Sequence, residues 1–153
     1  MGKGARPVVQ ALLLADHVYI DRESGKTIIA GTFDQIWATE FPTVFGRATW
    51  AFVSLTDLRG PAEVVLRYVD LADGSVLLTT NPIPVSTEDP LKSAQIRLEI
   101  PPLPMPHPGA YALELMVGGQ LAGTLRVVAG QHRAEASDAS EGEEKPGADR
   151  EDG

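Results

Sequence analysis

PHPGAYALELMVGGQLAGTLRVV, residues 106–128, is the stretch whose reading decides the fold. Pro108-Gly109 opens it. Tyr111, Leu113, Leu115 and Val117 alternate, Gly118-Gly119 turns the chain, and Leu121, Leu125 and Val127 run back. Strict alternation marks a strand with one buried face, and Gly-Gly between two such runs signals a two-residue hairpin. The expectation is an antiparallel hairpin that closes a β-sandwich. Such a hairpin is scaffold and carries no chemistry.

Upstream, the same signals repeat. Val8 to Ile20 reads as a first strand with both faces apolar, hence central or covered on both sides. DRESGK (21–26) turns it, and Thr27 to Ala38 reads as one return strand. A register with Leu14 opposite Phe33 and Val18 opposite Ile29 gathers Leu12, Leu14, Val18, Ile20, Ile29, Phe33 and Trp37 on one face; a one-residue slip would disperse them. Thr39 to Gly46 reads as a connection, because Pro42 does not suit a central strand, and Phe41, Val44 and Phe45 are expected to plug one end of the sandwich. Arg47 to Leu58 is a third strand, and Ala62 to Leu71 pairs with Ser75 to Thr80 through Asp73-Gly74. Asn81 to Ser93 reads as a crossing loop and Ala94 to Ile100 as an alternating strand. PPLPMPHP (101–108), with five prolines in eight residues, reads as a stiff connector. About eight strands with no long helical period imply an all-β, immunoglobulin-like antiparallel sandwich.

Length and composition set the limits. The 153 residues suit one domain, and 43% hydrophobic residues supply a core. The expected division is a frayed N-terminus over 1–7, the sandwich over 8–130, and a disordered acidic tail over 131–153. Its residues 134–153 have no aliphatic or aromatic side chain beyond alanine, so they cannot offset an ordering entropy of roughly 1–2 kcal/mol per residue. The tail holds eight acidic and three basic residues, a large part of the net charge of −8. The remainder is only mildly acidic and has no basic cluster, which argues against nucleic acid as a partner. With no cysteine, disulfides, thiolate catalysis and cysteine-based metal sites are excluded. No apolar run reaches the ~18 residues of a membrane span. VVQALLLA is short, is broken by Gln10 and runs into Asp16-His17, so it reads as a strand rather than a signal peptide. The expected setting is cytoplasmic.

Taken together, ALLLADHVYIDRESGKTIIAGTFDQIWATEFP (11–42), the Asp-Gly hairpin and LEIPPLPMPHPGAYALELMVGGQLAGTLRVV (98–128) resemble a family of small uncharacterised bacterial β-sandwich proteins, a domain of unknown function. The resemblance rests on Asp16, Phe33-Asp34-Gln35-Ile36-Trp37, Phe41-Pro42, Pro108-Gly109-Ala110-Tyr111 and Gly118-Gly119, and covers about residues 9–128. It implies the fold and brings no catalytic or binding residues.

Candidate chemistry is sparse. Asp16 and His17 are neighbours on a strand and point to opposite faces, so they cannot converge on one substrate. Asp16 reads as a half-buried structural carboxylate bonded to a backbone N–H or to Thr32, since an unpaired buried carboxylate is costly. His17, His107 and His132 have no metal-binding spacing, no Gly-x-Ser-x-Gly elbow exists, and no Gly pair opens a helix as a phosphate loop. Neither a metal nor a cofactor is expected. Trp37, Phe41, Phe45, Trp50 and Phe52 form the constellation to watch. Core packing is the plain reading, and a contact patch of Trp37, Phe41, Phe45 and Trp50 around the 39–46 connection is the functional one. The expectation is a non-catalytic module that contacts an unknown protein partner or pairs with itself through an edge strand. A ligand- or carbohydrate-binding sandwich that uses an exposed Trp or Phe, with Trp37 or Trp50 as the stacking platform, is the alternative; an exposed aromatic beside Asp or Asn would favour it. A carboxylate enzyme built from Asp16 and Asp34 ranks third.

Overall fold

The computed structural model describes residues 6–132, and every described element is a strand. In chain order these are β1 (Val8–Ile20), β2 (Thr27–Phe33), β3 (Gln35–Ala38), β4 (Thr43–Phe45), β5 (Thr49–Thr56) and β6 (Ala62–Asp70). They are followed by β7 (Val76–Thr79), β8 (Ile83–Val85), β9 (Ala94–Ile100), β10 (Leu103–Met105), β11 (Gly109–Val117) and β12 (Gln120–Gln131). One sheet has the order β2-β1-β5-β9. The other runs β3-β12-β11-β6-β7, with β8 also on β6, and a two-stranded β10-β4 piece lies at one end. The architecture is an all-β, immunoglobulin-like sandwich. The tail expected over 131–153 lies outside the described residues except for Gln131, which still belongs to β12, and His132, whose N–H donates to the Ala38 carbonyl.

The core lies between inward faces that alternation selects. Val53 and Leu55 of β5 face Val64 and Leu66 of β6 and Leu113 and Leu115 of β11, all essentially sealed from solvent. Each such side chain contributes about 1.5–3 kcal/mol by leaving water. The 106–128 hairpin forms as read, with Val117 opposite Gln120 and with Gly118 and Gly119 at φ 60° and 81°, the left-handed pair that a tight hairpin turn needs. One detail differs. The register shifts between Leu115 and Met116, so Leu121 pairs with Met116 on the outer face and is 50% exposed. A bulge inserts one residue and reverses the parity of the residues beyond it, which alternation alone does not reveal.

Three proline-bearing segments were expected to be connections and contain short strands instead. β8 adds to β6 from within 81–93, and β4 and β10 pair with each other. Leu103 and Met105, each 1% exposed, turn the supposed connector into an end plug, and Phe41 and Phe45 pack against it while Val44 stays out. Proline forfeits one ladder donor, so such strands stay short and at edges.

The largest departure concerns the first hairpin. The register is as expected, with Leu14 opposite Phe33 and Val18 opposite Ile29. The return segment is not one strand, however: it breaks at Asp34, and β3 joins the opposite sheet alongside β12 in parallel. Trp37 therefore leaves the face on which it was expected. β1 also changes its side of the sheet. Leu12 and Leu14 pack into the sandwich core, whereas Val18 joins Ala15 and Phe52 in a second cluster with Ile29 and Trp50. β5 pairs with β1 only as far as Ala15. Opposite the next residue, Asp16, stands Gly31 with φ 75°. The hairpin bends there and folds back over the outer face of its own sheet. Thr27 Oγ1 donates to Gln95 Oε1 at 2.9 Å, tying the folded tip to β9. β1 is thus covered on both faces, and Phe52 is 6% exposed without belonging to the central core.

Candidate functional site

The bend and the break in the return segment lie side by side, and a cleft opens between them. It measures about 390 Å³ and is lined by Asp16, Thr32, Phe33, Gln35, Trp37, Phe45 and Arg47, among others. The parts follow from local structure. β2 ends at Phe33, whose ring tilts against Phe45 with centroids 5.7 Å apart. Asp34 carries the chain across, and its carbonyl accepts a hydrogen bond from the Val128 N–H at 2.9 Å. Ile36 then turns into the core at 2% exposure, so Gln35 and Trp37 must face outward.

Trp37 is 56% exposed, yet it is not loose. It stands beside Gly130 in the parallel register, and a Cβ on Gly130 would overlap Trp37 Cζ3. The indole therefore lies across the bare glycine. The His132 ring stacks on it with centroids 5.1 Å apart. A large aromatic surface is held flat and faces solvent, with a carboxylate and a guanidinium in the same cleft. Arg47 Nη2 lies 3.8 Å from Asp16 Oδ1, and the two side chains are 71% and 37% exposed. At that distance and exposure the pair is worth well under about 1 kcal/mol, so both groups are available to a ligand.

The expected residues divide as follows. Trp37 and Phe45 line the cleft with Asp16, and Phe41 is half-buried at the end plug. Trp50 is half-buried in the second cluster under the folded hairpin, so it does not belong to a common patch with Trp37. Asp16 corrects the expectation of a bonded structural carboxylate: its side chain is 37% exposed, and Arg47 is its polar partner among the described residues. The absent Gly31 side chain makes its room, since a Cβ there would lie 2.5 Å from Asp16 Oδ2. Asp34 lines a different hollow of about 170 Å³ with Leu13, Thr32 and Leu125, so the two carboxylates do not share a pocket. Among the described residues no group of three or more metal-ligating side chains converges.

A second polar cluster escaped sequence reasoning. Asp70, 4% exposed, accepts from His107 Nε2 at 2.8 Å, and His107 Nδ1 meets the Pro108 carbonyl at 2.7 Å. When the ring is protonated both nitrogens donate, one to each oxygen, so the two contacts favour the charged form. The Pro108 carbonyl first, then the Asp70 carboxylate, raises the His107 pKa above its ordinary 6.5. The Tyr111 hydroxyl donates to the His107 carbonyl and accepts from the His107 N–H at 3.1 Å, a tyrosine-corner arrangement that pins the proline segment to β11. Tyr68 stacks on Tyr111 at 5.4 Å, and burial pushes its phenol pKa upward. Pro-Gly-x-Tyr was the available signal for this corner. Asp70, 37 residues from His107, left none.

Residues 10–129 match the family model described as "Family of unknown function (DUF6941)". No curated protein matches the chain. Among solved structures it is similar to an immunoglobulin-like protein from Pseudomonas aeruginosa (15% identity, 84% of this chain and 99% of that one, TM-score 0.39). It is also similar to the Pseudomonas fluorescens alkylpurine DNA glycosylase bound to DNA containing an abasic site analogue (12% identity, 77% of this chain, TM-score 0.42). This chain spans 30% of that glycosylase's length.

Proposed function

The chain belongs to DUF6941, a family of unknown function, and we propose that it is a non-catalytic binding module whose recognition surface is the end of the sandwich bearing Trp37. The single observation that carries this reading is the flat, 56% exposed indole braced on Gly130 at the mouth of the Asp16–Arg47 cleft. An indole dominates an interface when a partner covers it, because it brings a large apolar area at small entropic cost. Val44, 57% exposed on neighbouring β4, adds to the apolar character of the connection. A protein partner would cap these side chains and pair its own charges with Asp16 and Arg47. Two features support a non-catalytic role. Asp16 and Asp34 occupy separate hollows, and both ring nitrogens of the half-exposed His107 are committed to oxygens.

The Asp16–Arg47 pair beside an aromatic face also favours a second reading, a saccharide ligand. A sugar stacks its apolar face on an indole and offers hydroxyls that a carboxylate, a guanidinium and the Gln35 amide can bind. The test compares wild type with Trp37→Ala. Affinity capture from host lysate should retain a partner with wild type and lose it with Trp37→Ala, while the two proteins melt together. Titration of the Trp fluorescence with a panel of oligosaccharides reads the second possibility. A partner retained equally by Trp37→Ala, with no saccharide response, would sink both.

A further inference from the structure

We propose that two copies of this chain pair through the free edge of β9, antiparallel and centred on Leu98, joining their four-stranded sheets into one. Among the described residues β9 is the last strand of its sheet and bonds only to β5. On its other side runs an open groove, two adjoining hollows of about 610 and 260 Å³ between β9 and the stretch 79–87. The walls carry half-buried apolar side chains, Ile83 and Val85 opposite Ile96 and Leu98. Pro82 and Pro84 blunt the β8 edge, whereas no proline interrupts residues 91–100. β9 is therefore the longer, unprotected edge, and a strand laid against it would cover the apolar wall.

The side chains of β9 specify a second copy as the occupant. Ile96, Leu98 and Ile100 face inward, and the exposed Arg97 and Glu99 face outward. About a two-fold axis through Leu98, residue 97 of one strand opposes residue 99 of the other. Arg97 then meets Glu99 of its partner twice, reciprocally, and Ile96 meets Ile100. Directly opposed opposite charges stabilise a sheet pair and like charges destabilise it. Slipping by two residues in either direction puts Arg97 against Arg97 or Glu99 against Glu99. A one-residue slip puts apolar faces against charged ones. Of these registers the Leu98-centred one alone pairs each charge with its opposite. Its ends are also set: Pro101 opposes Gln95 and supplies no donor, and Gln95 is already held by Thr27 of its own chain. The charges that would guard an edge against other strands become complementary in this one pairing.

Sedimentation velocity of the full chain tests this up to about 100 µM, the range expected of a small edge contact. Wild type should show a monomer–dimer equilibrium. Arg97→Glu should weaken it about ten- to hundredfold, because two attractive pairs become repulsive ones. Glu99→Arg should do the same, and the double variant Arg97→Glu/Glu99→Arg should restore the dimer. Both positions are exposed, so the variants should melt with wild type. A wild type that stays monomeric throughout overturns the proposal. So does a dimer indifferent to Arg97→Glu, or a folded double variant that fails to recover. A β9 edge that instead takes up an extended peptide from another protein, with wild type monomeric, overturns it as well. Trp37 lines a different cleft, so Trp37→Ala should leave the dimer intact, and the two proposals stand or fall separately.

Discussion

The bend at Asp16 and Gly31 supports both the folded-back hairpin and the candidate cleft, and a pair of glycine substitutions isolates it. Gly31 and Gly25 share φ 75°. An alanine at either site meets the same left-handed penalty, roughly 1–2 kcal/mol. At both it also gains about 0.4–1 kcal/mol through the unfolded chain. The net backbone cost, about 1 kcal/mol, is therefore common to both sites. Their surroundings differ. Among the described residues nothing lies within 4 Å of a Cβ at Gly25, whereas one at Gly31 would sit 2.5 Å from Asp16 Oδ2, 3.0 Å from Cγ and 3.1 Å from Cβ.

Gly31→Ala can relax in two ways. Asp16 can swing aside, which loses only the weak Arg47 pair. The bend can open instead, which lifts Val18 and Ile29 partly off Phe52. Re-exposing part of those side chains at about 25 cal/mol per Å² amounts to roughly 1–2 kcal/mol. The cheaper relaxation bounds the excess, so urea denaturation followed by Trp fluorescence should show Gly25→Ala about 1 kcal/mol less stable than wild type and Gly31→Ala about 1.5–2. Placing Gly31→Ala in an Asp16→Ala background should remove most of the excess, because the two nearest atoms are gone. Equal midpoint shifts for Gly25→Ala and Gly31→Ala would refute the bend as a pivot held open for Asp16. A coupling of zero between positions 16 and 31 would refute the contact itself.

Three further outcomes are expected from the same geometry. Because the folded state raises the His107 pKa, its stabilising contribution is fully present below the unfolded value of 6.5 and is lost as pH rises through the folded value. The melting temperature of wild type should fall from pH 6 toward 8 more than that of His107→Gln, and parallel pH profiles would contradict the raised His107 pKa. Leu103→Ala, at 1% exposure in the end plug, should cost about 2–5 kcal/mol in chemical denaturation, while Pro102→Ala, exposed beside it, should change little. Gly130→Ala should move the indole off its seat, shifting Trp emission with a stability loss of at most about 1 kcal/mol, since the exposed ring is free to yield.

How far the chain could be read depended on whether a residue's partner was near in sequence. Gly118-Gly119, Asp73-Gly74 and the 21–26 turn each determine a hairpin from within, and all three formed where expected. The β1–β2 register was legible too, because a one-residue slip would have dispersed its apolar residues. What escaped is set by contacts across the sandwich. Nothing around Asp34 announces a change of sheet, since the parallel partner of β3 lies in β12, near the end of the described chain. The proline run 101–108 reads as a stiff connector because proline weakens any strand, yet the two apolar residues it carries, Leu103 and Met105, are among the most buried. The family resemblance anticipated from Phe33 to Trp37, Phe41-Pro42 and Pro108 to Tyr111 is the one that the match over residues 10–129 bears out.

The glycines tell the same story for the site. Gly31 and Gly130 sit inside strand patterns where a glycine weakens the strand and gains no turn. A glycine tolerated there marks a close approach by something else, and here the approaching groups are Asp16 and Trp37. The two side chains that give the cleft its charge and its aromatic surface are thus the two for which the chain gave up a side chain opposite. Asp16 was legible as a carboxylate among apolar neighbours and Trp37 as an aromatic near a break. Their common cleft was not, because it exists only where the bend in one sheet meets the chain crossing to the other. Substituting either glycine should disturb its own cleft residue and spare the other, which makes the pair a direct probe of whether the Asp16 and Trp37 sides of the cleft act as one surface.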